Sequence, residues 1–363
     1  MAAVSRTILT LNSGSSSLKA SLFRADDTRR DWHYKQTDPS HPYSMTEAFD
    51  TLLGDLGDEV PHAIGHRFVH GGDVADAVRV LDEAEIERLR GLIPLAPLHL
   101  PGNLLGVELC RARFDVSQMA CFDTAFHHGM PELARRLPIP QALGMRRYGF
   151  HGLNYAYIAS RLPALLGEGA RGRIVVAHLG SGASLCLLEN LRSVDTTMGY
   201  TAAGGIPMGT RSGDLDPGVM LKLAGQHDHA ALSDLVYHQM GLFALSSEES
   251  SDMAALLASK SAPARFAVDY FCRQVRAAIG GFAAKVGGID ALVLSGGIGE
   301  NAPSIRTRIC EPLSFLGFAL DAEANQGNQD LIHVEGSKPV LRITANEEDV
   351  IRELVESLLG VDF

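Results

Sequence analysis

Two arginines stand in Gly-rich surroundings. Gly65-His-Arg67-Phe-Val-His-Gly-Gly72 places one near the end of an apolar run, flanked by two histidines and a glycine pair. Met208-Gly-Thr-Arg211-Ser-Gly-Asp-Leu-Asp-Pro217 places the other in a loop of small residues. A planar, permanently charged fork suits an anion, and phosphoryl transfer above all, because the moving group spreads its charge over three oxygens. The plainer reading is a solvated surface arginine, yet neither segment offers a helix face to solvate, and the glycines leave room for a ligand. Three Gly-rich turns follow apolar runs: Asn12-Ser-Gly-Ser-Ser-Ser17, Gly180-Ser-Gly182 and Ser295-Gly-Gly-Ile-Gly-Glu-Asn301. Such turns supply convergent N–H donors with no side chain in the way, which a phosphate requires. Any one alone reads as a hairpin turn or a helix start; three in one chain favour phosphate. None fits a Walker A pattern or a correctly placed GxGxxG.

Oxygen and imidazole groups lie in four further segments. Ala120-Cys-Phe-Asp123-Thr-Ala-Phe-His-His128 ends an apolar run in a carboxylate, which either caps a helix or positions a nucleophile or metal. Arg147-Tyr-Gly-Phe150-His151-Gly152 and Pro94-Leu-Ala-Pro97-Leu98-His99 each offer a histidine, read as packed core or as a donor to developing charge. Thr344-Ala-Asn346-Glu347-Glu348-Asp349 opens an amphipathic run. Its acids suit a helix N-terminus, and one of them suits Mg²⁺, a hard cation that takes oxygen ligands and bridges phosphates. The 14 histidines form no HExxH pair and no GxSxG elbow is present, which argues against a zinc hydrolase and an α/β-hydrolase.

The elements that must position these groups read as α/β. Residues 7–12 and 17–23 predict a hairpin, with Leu9 and Leu11, then Leu18, Ala20 and Leu22, on alternating positions. Strands are predicted at 62–69, 116–122, 174–179, 184–188 and 291–295. Helices are predicted at 82–93, where Asp82 and Glu85 have capping-box spacing, and at 102–113, 264–286 and 346–359. Strands alternating with helices along the whole length indicate α/β architecture. Ile8-Leu-Thr-Leu-Asn-Ser-Gly-Ser-Ser-Ser-Leu18 is echoed by Val175-Val-Ala-His-Leu-Gly-Ser-Gly-Ala-Ser-Leu185, as if two similar domains each opened with a hairpin.

Composition bounds the function. A chain of 363 residues suits two or three domains, and a net charge of −11 without a Lys/Arg block speaks against nucleic-acid binding. No apolar run reaches the ~18 residues of a membrane span, and the first residues lack the pattern of a secretory signal. Five scattered cysteines suit reduced thiols in the cytoplasm, not a disulfide framework or a cysteine zinc site.

In this order the motifs resemble the acetate kinase family of the actin-like ATPase superfamily, from Leu11-Asn-Ser-Gly-Ser-Ser-Ser-Leu-Lys19 to Thr344-Ala-Asn-Glu-Glu348. The resemblance implies two duplicated ribonuclease-H-like (actin-like ATPase) domains facing a central cleft, one formed by 1–145 plus 346–363 and the other by 146–345. It implies a homodimer that transfers the γ-phosphoryl group of ATP to acetate or another short carboxylate, with Mg²⁺ (or Mn²⁺) as cofactor. By matched position, Asn12 and Glu347 would hold the metal. Ser15, Ser17 and Lys19 would lie beside the phosphates. Arg67 would bind the carboxylate, with Val69, Leu98 and Phe150 lining the acyl pocket. Arg211, His99 and His151 would stabilise the transferring group, and Asp123 would be the essential carboxylate. His178, Leu179, Gly180, Ser181 and Gly182 would cradle phosphates, while Asp252, Met253, Ala254 and Gly297, Ile298, Gly299, Glu300, Asn301 would border the nucleotide.

Some positions depart from the family pattern. Ser181 replaces a usual Asn, Ala254 a usual Arg, and Ala202 and Gly204 a usual Pro and Glu beside the acyl pocket; the stretch from Ala20 to His66 is short. A propionate or butyrate kinase, a pyrophosphate-using variant and a non-catalytic actin-like nucleotide binder are the alternatives.

Overall fold

Apolar residues alternating around Ser13-Gly14 build strands β1 (Ile8–Ser13) and β2 (Ser17–Phe23), paired antiparallel with Leu9 opposite Leu22 and Asn12 opposite Lys19. The computed structural model describes residues 6–14, 17–35 and 44–360. Strands β3 (Arg29–Lys35), β4 (Ala63–Phe68), β5 (Val78–Val80) and β6 (Ser117–Phe122) complete a six-stranded sheet in the order β3-β2-β1-β4-β6-β5. Here β1, β4 and β6 run parallel, and every residue of β1 is buried, as a strand covered on both faces must be. One face carries Leu9, Leu11, Leu18 and Ile64 against Phe49 and Leu52 of the helix Met45–Leu56 and Cys110 of the helix Leu100–Arg113. The other carries Ile8, Ala63, Met119 and Cys121 against Val350, Ile351 and Val355 of the helix Glu347–Leu358.

A second sheet contains β7 (Arg173–Leu179), β8 (Ala183–Glu189), β9 (Arg192–Thr196), β10 (Ala291–Ser295) and β11 (Val340–Arg342), ordered β11-β10-β7-β8-β9. Its central strand also pairs antiparallel with the next strand and parallel with a later one. The order β9-β8-β7-β10-β11 therefore repeats β3-β2-β1-β4-β6, and the weak echo between residues 8–18 and 175–185 marks a duplicated topology. By contact density the chain separates into Met1–His128 with Phe150–Tyr157 and Asn346–Phe363, and Gly129–Gly149 with Ile158–Ala345.

The predicted elements are present with small shifts in their ends. The Asp82 side chain accepts from Glu85 N at 2.8 Å, but the helix it caps, Glu83–Arg90, stops short of residue 93. Gly91 follows it, and Pro94 enters a separate 3₁₀ turn, Ile93–Leu95. The helix predicted at 264–286 begins earlier, at Ala262, because the Ser261 hydroxyl accepts from Ala264 N and Pro263 suits the first turn.

Candidate active site

Side chains alternate along a strand, so Ile8, Thr10 and Asn12 share the β1 face that meets the helix Glu347–Leu358. Registers of Thr10 with Gly65, Gly65 with Met119 and Arg67 with Cys121 place Arg67, and Asp123 just beyond β6, on that same face. Asn12, Arg67 and Asp123 thus stand at the carboxyl ends of three parallel strands, where open α/β sheets bind ligands. The helix Glu347–Leu358 brings Glu347 and Glu348 to them. Arg67 donates from Nη2 to Asp123 Oδ2 at 2.7 Å and from Nε to the same oxygen at 3.1 Å. Its Nη1 meets Asn12 Oδ1 at 3.0 Å and Glu347 Oε2 at 2.9 Å. Asn12 Nδ2 donates to Glu347 Oε2 at 2.6 Å and to Glu348 Oε1 at 3.1 Å. Burial works against the Arg67 charge, but Asp123, Glu347 and Glu348 more than offset it and hold the guanidinium above its ordinary pKa.

Asp123 is fully buried, and its Oδ1 accepts from Leu153 N in the first turn of the helix Gly152–Leu166. A Cβ at Gly152 would stand 1.8 Å from the Asp123 carbonyl oxygen, so only glycine permits this approach. His151, just before it, holds a left-handed backbone at φ 57°, a conformation that costs a non-glycine residue roughly 1–2 kcal/mol. His66 and His127 are different. Burial lowers both to about 4, and His66 Nε2 shares a 2.7 Å hydrogen bond with Gln118 while His127 Nε2 lies 3.0 Å from the Phe150 carbonyl. Neither adds positive charge beside Arg67 at neutral pH.

The network carries three carboxylates against one guanidinium, and every ligating group in it is oxygen. Glu347 Oε1 is buried and has no hydrogen-bond partner among the described residues. An orphaned carboxylate oxygen in an acidic, all-oxygen surrounding fits Mg²⁺ or Mn²⁺ and does not suit a soft metal. Among the described residues no cluster of three His, Cys, Asp or Glu side chains forms a metal cage.

In the second unit the β7–β8 turn closes through Gly180 N on Gly182 O, and Gly209 N donates to Ser181 O, which draws the Arg211 loop to that turn. A Cβ at Gly296, whose φ is +76°, would lie 2.7 Å from the Leu179 carbonyl oxygen, so the segment expected as a Gly-rich turn, which is the start of a short helix, Gly296–Asn301, also closes on it. Two of the three Gly-rich segments and Arg211 therefore share one neighbourhood. Arg211 is 7% exposed, donates from Nη1 to the Ala202 carbonyl at 2.6 Å and has no carboxylate partner among the described residues. Burial pulls its guanidinium down to about 10. A buried cation without a counter-ion is costly, and an anionic ligand supplies what the protein does not.

A profile of the acetokinase family matches residues 33–353. Acetate kinase of Rhodopseudomonas palustris (strain TIE-1) is 42% identical over 358 residues, covering 89% of this chain and 90% of that one. Acetate kinase of Nitrobacter hamburgensis is 40% identical over 389 residues, covering 97% and 96%. The chain belongs to the acetokinase family. Among solved structures, a propionate kinase from Francisella tularensis superposes with a TM-score of 0.86 at 29% identity over 96% of this chain and 98% of that one. Acetate kinase of Porphyromonas gingivalis gives 0.80 at 30% identity over 98% and 100%. The repeated strand order is accordingly the two-domain actin-like fold.

Within this acetokinase chain the remaining expected residues fall as follows. Ser15 lies outside the described residues. Ser17 and Lys19 are on β2, and Lys19 is exposed opposite Asn12. His99 is the N-cap of the helix Leu100–Arg113. Val69 and Phe150 are buried, with His70 edge-on to Phe150 at 5.5 Å, and Leu98 is half-buried. His178 and Ile298 are half-buried, while Ser181, Gly297 and Asn301 are exposed. Asp252 caps the helix Met253–Ala258 through Ala255 N; Met253 is buried in the core and Ala254 is exposed. Glu300 Oε1 accepts from Gly296 N and Ala345 N, so this carboxylate braces the Gly-rich segment. Sequence reasoning missed Glu348, adjacent to the residue it chose, and Arg306. Arg306 is fully buried and donates to the Gly299 and Glu300 carbonyls from Nη1, fixing the end of the Gly-rich segment. No spacing rule marks Arg306; it looks like any helix arginine.

Proposed function

We infer that this chain is an acetate kinase, moving the γ-phosphoryl group of ATP to acetate or a similar short carboxylate and releasing acyl phosphate and ADP. The observation that carries the assignment to particular residues is the closed network of Asn12, Arg67, Asp123 and Glu347 at the parallel strand ends. A carboxylate is already a nucleophile at neutral pH, so no strong base is needed. Its oxygen forms the new bond to phosphorus as the bond to the bridging oxygen breaks and ADP leaves with that electron pair. The obstacle is repulsion between two anions. Arg67 commits Nε, Nη1 and one Nη2 N–H to the protein and keeps a second Nη2 N–H for the acceptor carboxylate. Asp123 locks that guanidinium in place. Val69, Leu98 and Phe150 offer an apolar wall for the acyl chain.

Arg211 neutralises the charge of the transferring group, and the segments 178–182, 252–254 and 297–301 hold the nucleotide. Asn12 and Glu347 would hold Mg²⁺, which supplies charge neutralisation on the phosphates when bound. Ala202 and Gly204 replace bulkier family residues, which supports propionate as a second acceptor. The lobes proposed are 1–145 with 346–363, and 146–345, in a cytoplasmic homodimer.

A hydroxylamine trap containing ATP, Mg²⁺ and acetate, propionate or butyrate tests the reading. Hydroxamate is expected from acetate and propionate, and its absence with every acid would sink the assignment. Replacing ATP with pyrophosphate in the same assay is expected to give none.

A further inference from the structure

Both ends of the segment Gly296–Asn301 are tied down by side chains. At its start the Glu300 carboxylate accepts from Gly296 N and from Ala345 N, each at 2.9 Å. At its other end stands Arg306, fully buried on the next helix, Pro303–Cys310. A guanidinium has five N–H groups, and here the protein accepts from all five. Nη1 donates to the Gly299 and Glu300 carbonyls, both at 2.9 Å. Nε donates to Asn325 Oδ1, and Nη2 to the Asn325 carbonyl and to Asn328 Oδ1, each at 2.6 Å. Asn325 is itself held, because its Nδ2 returns to the Pro303 carbonyl at 3.1 Å and to Thr307 Oγ1 at 3.0 Å, on the helix that carries Arg306. The short helix Ala322–Gln326 that presents Asn325 is capped by Asp321, which accepts from Ala324 N at 2.8 Å. Between the two anchors Gly297 is exposed, and a Cβ there would meet nothing within 4 Å.

We propose that Arg306 is a positioning residue which, standing on Asn325 and Asn328, holds the Gly296–Asn301 segment in place for the nucleotide. The proposal rests on the reading that residues 297–301 border the nucleotide. A guanidinium whose donors are all committed has none left for a ligand, so Arg306 acts through the carbonyls it holds. Among the described residues none of its acceptors is a carboxylate. Burying a cation among neutral oxygens is costly, and only a complete set of hydrogen bonds offsets that cost. The fork therefore works as a rigid brace. Rigidity favours a ligand that must find backbone groups already in place, since no ordering has to accompany binding. Loss of the brace weakens ATP binding and leaves the acceptor side and the chemical step as they were once ATP is saturating.

Asn328→Gly removes one of the five acceptors and suits the left-handed backbone at that position, φ 52°, so the fold should tolerate it. The expected result is a rise in KM for ATP and in Kd for ADP of about three- to tenfold, the worth of one hydrogen bond. The kcat at saturating ATP and the KM for acetate should not change. Arg306→Lys keeps the charge but replaces the fork with a single ammonium, and should raise both nucleotide constants by about tenfold or more. If Arg306→Lys does not fold, Asn328→Gly carries the test alone. A purely structural part for Arg306 predicts a lower Tm with nucleotide constants unmoved, and that result in Asn328→Gly overturns the proposal. A fall in kcat with KM for ATP unchanged overturns it too. Gly297→Leu separates the proposal from the reading beneath it, because its side chain enters open space and meets only a bound nucleotide. If KM for ATP is unchanged in that variant, the placement of nucleotide at 297–301 fails first. If it rises while Asn328→Gly and Arg306→Lys match the parent, only the positioning role fails.

Discussion

Arg67, whose side chain is 12% exposed, and Arg211, which is buried, differ in their surroundings, and those surroundings assign them different work. Arg67 is surrounded by carboxylates and is fixed before any ligand arrives; among the described residues Arg211 has one carbonyl and no counter-ion. Removing Arg67 should therefore damage binding of the acceptor, and removing Arg211 should damage the chemical step. Arg67→Ala is expected to raise KM for acetate by about ten- to a hundredfold, the worth of a charge-assisted hydrogen bond. Arg67→Lys should not restore it, because an ammonium cannot serve Asp123 and Glu347 as a fork while keeping a donor for the substrate. Arg211→Ala is expected to lower kcat by about 10³-fold or more while ADP affinity changes little. Initial rates against acetate, together with ADP titration, separate these outcomes. An unchanged acetate KM removes Arg67 from the acceptor site, and equal losses in kcat and ADP binding remove Arg211 from the transition state.

At the scale of elements, the strand β4 and the helix Glu347–Leu358 must touch almost backbone to side chain. A Cβ at Gly65 would stand 2.4 Å from Ile351 Cγ2 and 2.8 Å from Val355 Cγ2. Gly65→Ala should push the helix away and carry Glu347 and Glu348 off Asn12. The expected result is a higher Mg²⁺ concentration for half-maximal rate and a loss of about 1–3 kcal/mol of stability from overpacking. Gly54→Ala, in the helix Met45–Leu56 with nothing near its Cβ, is the control and should be neutral or slightly stabilising. An unchanged Mg²⁺ dependence in Gly65→Ala would separate the helix from the metal.

Element by element, the local features were legible. The hairpins and the Asp82 cap depend on neighbours in sequence, and the Gly-rich segments announce themselves by composition; the Ser261 cap is just as local but was not read, so its helix was expected two residues late. The partners of Arg67 were not. Asp123 lies 56 residues away and Glu347 joins through the helix near the other end of the numbering, so strand register rather than motif spacing brings them together. His66, next to Arg67 in the chain, turns to the opposite face of the sheet and meets Gln118, so nearness in sequence is not nearness in the site.

Across the whole molecule, the duplicated sheets divide the proposed labour. The echo between residues 8–18 and 175–185 exposed the first hairpin of each sheet. It could not expose β3 or β9, whose sequences share nothing but strand propensity. The proposed carboxylate and metal residues belong to the unit containing β1, and Arg211 with the segments 178–182, 252–254 and 297–301 belongs to the unit containing β7. Each unit has its own sheet, so a ligand stabilises chiefly the openings of the unit that binds it. ADP at about 100 times its dissociation constant contributes about 2.7 kcal/mol, which slows exchange through such openings by about a hundredfold. Hydrogen exchange should then show ADP protection concentrated in 179–182, 209–212 and 297–301. Strands β1, β4 and β6 should respond less to ADP alone. Mg²⁺ without nucleotide should protect 12–14 and 347–350, where the orphaned Glu347 oxygen lies. If ADP protected β1, β4 and β6 as strongly as the β7–β8 turn, or if Mg²⁺ left 347–350 unchanged, the assignment of nucleotide to one sheet and metal to the other would be wrong.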